Sequence, residues 1–319
     1  MGSALLGMLL LAGLGSCAVG VEESSGAPAT ENGSVRFGVA VHGSNLDRLE
    51  TIESRVGSQM GVVRVFTRWD TEFPSEDVTQ MMAEGRSIHV SVRPRTDNGQ
   101  VIPWSEIANA KPGSVIHDQL TTWVEKLVAL DGEVYFTLNH EPETRDSAAN
   151  GSASQYVAAW RTTIDLLRSS GGEKVKTVLV LTRRPFVDGS VIDWYPGDEY
   201  VDVVGVDPYN WYHCQGTERN WTDPEDLLAP ALGFARSRNK PLAIPEIAST
   251  EDPLQPGRKA DWIDQLGHVL AKPDTAMAIE FVAWFNVDDQ SWPDCEWAYD
   301  SSSASAEAFA RLANQSGHG

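Results

Sequence analysis

Basic residues are scarce in this chain. Its 319 residues hold 25 Lys and Arg against 45 Asp and Glu, a formal net charge of −20 and an isoelectric point near 4.6. The Lys/Arg surplus that phosphate neutralisation needs is missing, which excludes nucleic acid as a main partner. The same balance works against anionic polysaccharides and acidic headgroups, and leaves neutral ligands. Long apolar runs are missing too: the one that stands out, Ala4 to Gly15, is too short to span a bilayer. There is no G-x-S-x-G elbow of a serine hydrolase, no P-loop and no H-E-x-x-H metal pair. No metal and no organic cofactor is therefore implied. Cysteine is reduced to three, Cys17, Cys214 and Cys295.

What is present begins with an export segment. Residues 1–20, MGSALLGMLLLAGLGSCAVG, form an apolar run that ends in small residues, as a secretory signal does. Its end, Leu14-Gly15-Ser16-Cys17, resembles a bacterial lipobox, which implies cleavage before Cys17 and lipidation of that residue. The rival reading is a plain signal peptide with an incidental cysteine. Residues 21–34 are small and polar and suit a flexible tether. The expectation is an exported protein, a cell-surface lipoprotein or a secreted one, touching a membrane only through that anchor. With Cys17 lipidated, Cys214 and Cys295 remain as a pair, and an exported protein can keep a disulfide. The alternative is two unpaired buried thiols.

From residue 35 onward, short apolar β-branched runs alternate with segments of helical period. The runs are Val35–Val41, Gly61–Phe66, Ser87–Arg93, Glu133–Asn139, Val175–Thr182, Val201–Asp207, Pro241–Glu246 and Ala278–Asn286. Each is nearly continuous in apolar residues, as strands buried on both faces of a parallel sheet are. Helices are expected over Leu46–Val56, Ser75–Glu84, Val115–Leu130, Ser154–Ser169, Asp223–Arg238, Gly257–Ala271 and Ser303–Asn314. The link after the fifth strand is short and carries Pro196 and Gly197, so its helix is reduced or missing. Eight strands with alternating helices predict an α/β fold, a single (β/α)8 TIM barrel over residues 35–314. A doubly wound open sheet is the alternative. Polar and aromatic residues gather after the C-terminal ends of the strands, where barrels build their sites, and this favours the barrel.

Two of those strands end in glutamate, Glu141 after FTLNH and Glu246 in PLAIPE. At the fourth and seventh strand ends they face each other across a barrel mouth. Glycoside hydrolysis with retention needs such a pair, about 5–5.5 Å apart, one carboxyl to protonate the leaving oxygen and one to attack the anomeric carbon. Glu143 is a rival acid, but Pro142 interrupts the strand before it. Arg64, inside a strand, has to pair with a carboxylate, and Arg68, Arg93 and Arg95 surround the ends of strands two and three.

The chain resembles clan A glycoside hydrolases, and within them family 26, the family of β-mannanases and related endo-β-glycanases. The motifs that carry the resemblance are His140-Glu141, Glu246 in PLAIPEIAS, Asp207-Pro208-Tyr209 after the sixth strand, and Trp284 in VAWFN. Transferred to these positions, it makes Glu141 the acid/base and Glu246 the nucleophile, supported by His140 and by Tyr209. Substrate contacts are expected from Asn139, Asp207, Trp211, Trp284, Trp104 and Arg93, the tryptophans because aromatic faces stack on sugar rings. The chain departs from the mannanase pattern after the acid/base, where it continues Pro142-Glu143-Thr144-Arg145-Asp146.

The reading is a monomeric retaining hydrolase of β-linked neutral polysaccharide, mannan first and β-glucan or xylan next. A surface carbohydrate-binding barrel without turnover, or a transglycosylase acting on a cell-surface glycan, are the alternatives. The presence of both glutamates argues against the binding barrel. Water access separates the transglycosylase from a hydrolase.

Overall fold

The computed structural model describes residues 1–2, 35–214, 220–287 and 295–316. The export segment with Cys17, the tether and Trp292 lie outside the described residues.

Eight parallel strands close into a barrel: β1 (Arg36–Val41), β2 (Val62–Arg68), β3 (Ser87–Arg93), β4 (Val134–Leu138), β5 (Val175–Thr182), β6 (Val203–Asp207), β7 (Leu242–Ser249) and β8 (Ile279–Asn286). Neighbours pair in chain order from β1 to β6. The pairings of β6 with β7, β7 with β8, and β8 with β1 complete the circle, so the open sheet is excluded. A two-residue strand, Tyr209–Asn210, adds to the end of β7.

All seven expected helices form, with ends shifted by a residue or two. Their starts follow from capping side chains: Asn45, Ser75, Ser114 and Ser152 each accept a backbone N–H of the first turn, and Ser152 with Gln155 completes a capping box. The link after β5 holds only short helical pieces, Arg183–Asp188, Val191–Trp194 and a 3-10 turn at Asp198–Tyr200. Two short helices lie outside the expected segments, Trp104–Ala108 in the loop after β3 and Pro273–Ala276 before β8.

Side chains alternate about each strand, and the two sets form separate cores. Outward residues pack beneath the helices in one large cluster. Inward residues Val62, Tyr135, Val178, Val180, Val203, Ala243 and Phe281 fill the barrel itself. Gly38 on β1 lets β2 approach closely, since a Cβ there would lie 1.8 Å from the Val62 carbonyl oxygen. The N-terminal end is sealed by ion pairs of Lys176 with Glu133 and Glu280, and of Arg36 with Glu133, around the Tyr135 hydroxyl. With that end closed and the middle filled, the C-terminal mouth is where a ligand can enter the barrel.

Candidate active site

The mouth opens into a cavity of about 450 Å³. His140, Glu141, Tyr209, Trp211, Glu246 and Arg93 line it, joined by Phe66, Arg68, Phe285 and Trp297. Six of the ten catalytic and substrate-binding residues expected from the sequence therefore meet on one surface.

Glu246 reaches the cleft because of an irregularity in β7. The register with β8 shifts between Ile244 and Ile247, a bulge that re-aims the side chain between them. The Glu246 carboxylate is 5% exposed and is held at both oxygens. Arg64 Nη2 donates to Oε1 at 3.1 Å, and the Tyr209 hydroxyl donates to Oε2 at 2.8 Å. Arg64 is fully buried with its guanidinium 4.4 Å from the Phe66 ring centroid, and its partner is the carboxylate that a charged group inside a strand requires.

Glu141 stands just beyond β4 in a left-handed conformation, φ 47°, and Asn139 before it has φ 52°. Such backbone is uncommon for residues with a Cβ and is held here by tertiary bonds: Glu141 N–H donates to the Val180 carbonyl and Asn139 N–H to that of Val92. Burial, and after it the negative charge of Glu246 and Glu143, push the Glu141 carboxyl well above the usual carboxylate range. The two glutamates thus occupy opposite environments on one cleft.

His140 is kept neutral by burial and by the positive charge of Arg64 and Arg93. Its Nδ1 lies 2.9 Å from Ser91 Oγ, and its backbone N–H donates to the same oxygen. Asp207 lies buried at the end of β6, next to Glu246, and neither of its oxygens accepts a hydrogen bond. Burial, then the negative charge of Glu246 and Glu141, raise its carboxyl well above the usual range. Glu143, the rival acid, accepts from the Thr182 backbone N–H at 2.6 Å and the Thr182 hydroxyl at 2.7 Å and lines no part of the cleft.

Four expectations need correction, Asp207 among them, since it is buried beside Glu246 and lines no part of the cleft. Trp284 is fully buried on the outer face of β8, against Trp262 and Phe309, with its Nε1–H donated to the Trp297 carbonyl. The aromatic that β8 presents to the cleft is its neighbour Phe285. Trp104 is buried edge-on to Tyr156 in the unanticipated short helix. Asn139 is buried, and its amide donates to the His140 carbonyl and to Ser147 Oγ, so it lies below the cleft surface. Strict alternation from Phe281, an inward residue, would have identified Phe285; Phe66 shares the inward parity of Arg64 in the same way.

Cys214 and Cys295 form a disulfide, with a Cα–Cα distance of 4.9 Å. It ties together the loops that carry Trp211 and Trp297, whose rings meet edge-to-face 5.2 Å apart on the cleft wall beside Tyr209. Lys259, buried under the second loop, donates to the Glu296 and Ala298 carbonyls and to Ser301 Oγ. Among the described residues no cluster of His, Cys, Asp and Glu is arranged to hold a metal, and no helix is long and apolar enough to cross a membrane.

The profile of Glycosyl hydrolase family 26 matches residues 99–230, a span that includes Glu141 and Tyr209. Endoglucanase H of Acetivibrio thermocellus is 25% identical over 282 residues, 82% of this chain and 28% of that protein. A beta-1,3-xylanase of an Alcaligenes species is 29% identical over 144 residues, 44% of this chain and 28% of that protein. The chain thus spans little more than a quarter of the length of either. Among solved structures, a GH26 beta-mannanase from Bacteroides ovatus superposes with a TM-score of 0.62 at 19% identity, over 89% of both chains. The catalytic domain of a GH26 endo-beta-1,4-mannanase from Bacillus sp. JAMB-750 gives 0.63 at 19% identity, over 88% of this chain and 86% of that one. In sequence over residues 99–230, and in fold over the whole barrel, the chain resembles glycosyl hydrolase family 26.

Proposed function

We propose that the protein is a retaining glycoside hydrolase that cleaves β-linked polysaccharide inside the chain, with Glu246 as nucleophile and Glu141 as acid/base. The observation that carries this reading is the contrast between the two carboxyls on one cleft. Glu246 is held at both oxygens by Arg64 and Tyr209, oriented for attack, while burial and neighbouring negative charge raise the Glu141 carboxyl well above the usual range, as a proton donor needs.

In the first step a Glu246 oxygen attacks the anomeric carbon as Glu141 gives its proton to the glycosidic oxygen, and the leaving saccharide departs with that proton. The sugar is then an ester of Glu246, whose negative charge is gone. One of the causes that raised Glu141 disappears with it, so Glu141, now ionised, can take a proton from water. The water oxygen attacks the anomeric carbon, and Glu246 returns as carboxylate. Tyr209 and Arg64 orient the nucleophile. His140 stands beside Glu141 on the cleft, Asp207 lies buried beside Glu246, and Arg93, Trp211, Phe285 and Trp297 are the substrate-facing wall.

The backbone polymer is proposed to be mannan, with β-glucan and xylan next; the sequence relatives are named for glucan and xylan and the structural neighbours for mannan, which supports this group of polymers without ranking them. The disulfide supports an exported protein, because such bonds persist in oxidising compartments. The test is hydrolysis of mannan, glucomannan, mixed-linkage glucan and xylan beside Glu141→Ala and Glu246→Ala controls. Cleavage of one polymer that both substitutions abolish supports the assignment. Activity surviving in Glu246→Ala overturns it.

A further inference from the structure

We infer that the cleft wall formed by the ends of β2 and β3 is a subsite for an anionic substituent, a carboxylate or a sulfate ester, carried by the polysaccharide. The inference rests on the glycoside hydrolase reading and narrows its substrate class.

Arg68 and Arg93 are register partners at the C-terminal ends of two parallel strands, and both line the cavity. Like charges at paired positions repel. Their carboxylate neighbours compensate little. Asp146 stands 4.0 Å from Arg93 and Asp97 3.9 Å from Arg68, beyond hydrogen-bonding range, and both are largely exposed to water. Arg68 does donate once, to the Asp97 backbone carbonyl. Arg95 continues the row after β3, and its guanidinium has no partner among the described residues. Burial lowers the Arg93 pKa; the negative charge of Asp146 opposes this, and the positive charge of Arg95 and Arg68 works against Asp146 in turn.

A chain of net charge −20 repels anions at long range. Against that background, two arginines on the cleft wall, with Arg95 close behind them, put positive charge where the chain as a whole is negative. A neutral hydroxyl needs one donor and could be served by an amide. Two adjacent guanidinium forks instead match the flat, bidentate oxygens of a carboxylate or the oxygens of a sulfate. The row lies on the β2–β3 side, and Glu246 comes from β7, so the anion would be held away from the attacking carboxylate. The acidic balance of the whole chain is thus compatible with a neutral backbone that carries a sparse acidic substituent.

The experiment compares kcat/KM of the full chain on matched pairs of polymers. One pair is glucuronosyl-substituted xylan and the same polymer after carboxyl reduction; the other is sulfated mannan and its desulfated form. At low salt the anionic member of one pair should be preferred about tenfold, the preference should fade as salt screens it, and the pair that shows it identifies the anion. In Arg68→Gln/Arg93→Gln the loss should be about tenfold larger on the anionic member than on its neutral counterpart. Equal rates on both members of both pairs overturn the inference and leave the hydrolase reading standing. An equal loss on both members in the double variant overturns it as well. If no polymer is cleaved, the hydrolase reading has failed. Calorimetry with a glucuronosyl-branched oligosaccharide and a sulfated one, each beside its neutral form, then decides: tighter binding of either anionic form supports the subsite, and equal binding of both pairs overturns it.

Discussion

Arg64 Nη2 lies 3.1 Å from Glu246 Oε1 inside the barrel, joining β2 to β7 through a pair almost wholly removed from water. Each charge is tolerable there only because of the other. Removing one partner of such a pair leaves a buried charge unpaired and costs about 3–5 kcal/mol. Arg64→Met should therefore lower the urea midpoint strongly, and Arg64→Lys should recover only part of the loss, since an ammonium cannot reproduce the planar fork. An unchanged midpoint in Arg64→Met would show that the pair does not hold the fold.

Glu141 should trade stability for its chemistry. Its carboxyl is raised above the ordinary value of 4.5, so the fold favours the protonated form. The contribution of this group is fully favourable below that value and is lost as pH rises through the folded pKa. At pH 7 Glu141→Gln should consequently be more stable than the parent, by about 1 kcal/mol or ~2 °C in Tm. The gain should vanish by about pH 4, where both states are protonated. Thermal melts of both proteins across that range check the sign.

The two glutamates should be separable by azide. In Glu246→Ala a small anion can enter where the carboxylate stood and attack from that side, giving a glycosyl azide of inverted configuration. In Glu141→Ala azide attacks the glycosyl ester from the opposite side, giving the retained configuration. NMR of the products distinguishes the two, and the reverse pattern would exchange the assigned roles.

The disulfide closes a loop of 81 residues, and its loss should cost about 2–5 kcal/mol by the chain-entropy argument. Because it joins the loops of Trp211 and Trp297, Cys214→Ser/Cys295→Ser should also raise KM more than it lowers kcat. Melts with and without reductant, together with steady-state kinetics on the cleaved polymer, read both effects.

The tryptophans should divide by address. Trp211→Ala removes a half-buried wall of the cleft and should weaken substrate binding by about 0.5–1.5 kcal/mol. Trp284→Ala and Trp104→Ala empty packed cores and should cost about 3–5 kcal/mol of stability. Per folded molecule, their KM should stay close to the parent value. A large KM effect in Trp284→Ala with an unchanged melt would contradict its placement under the helices.

Much of the barrel is legible along the chain because the signals are local. Each strand buries both faces and reads as one apolar run, and Asn45, Ser75, Ser114 and Ser152 mark helix starts through bonds to residues three positions on. His140-Glu141 and the Tyr209 motif are local in the same sense, since each sits within a few residues of a strand end. The short helix Trp104–Ala108 escaped because five residues carry too little periodicity to register.

Sequence by itself determined the number and order of strands, the two glutamates toward the C-terminal ends of the fourth and seventh (β7 itself runs on past Glu246 to Ser249), and the need of Arg64 for an acid. Tertiary structure decided which acid that is, because Arg64 and Glu246 are 182 positions apart and meet only when the sheet closes. It also decided which way the strand-end side chains face. The bulge in β7 turns Glu246 inward, and the register of β8 turns Phe285 to the cleft and Trp284 to the helices. A shift of one residue reverses every side chain beyond it, and the length of an apolar run carries no record of such a shift.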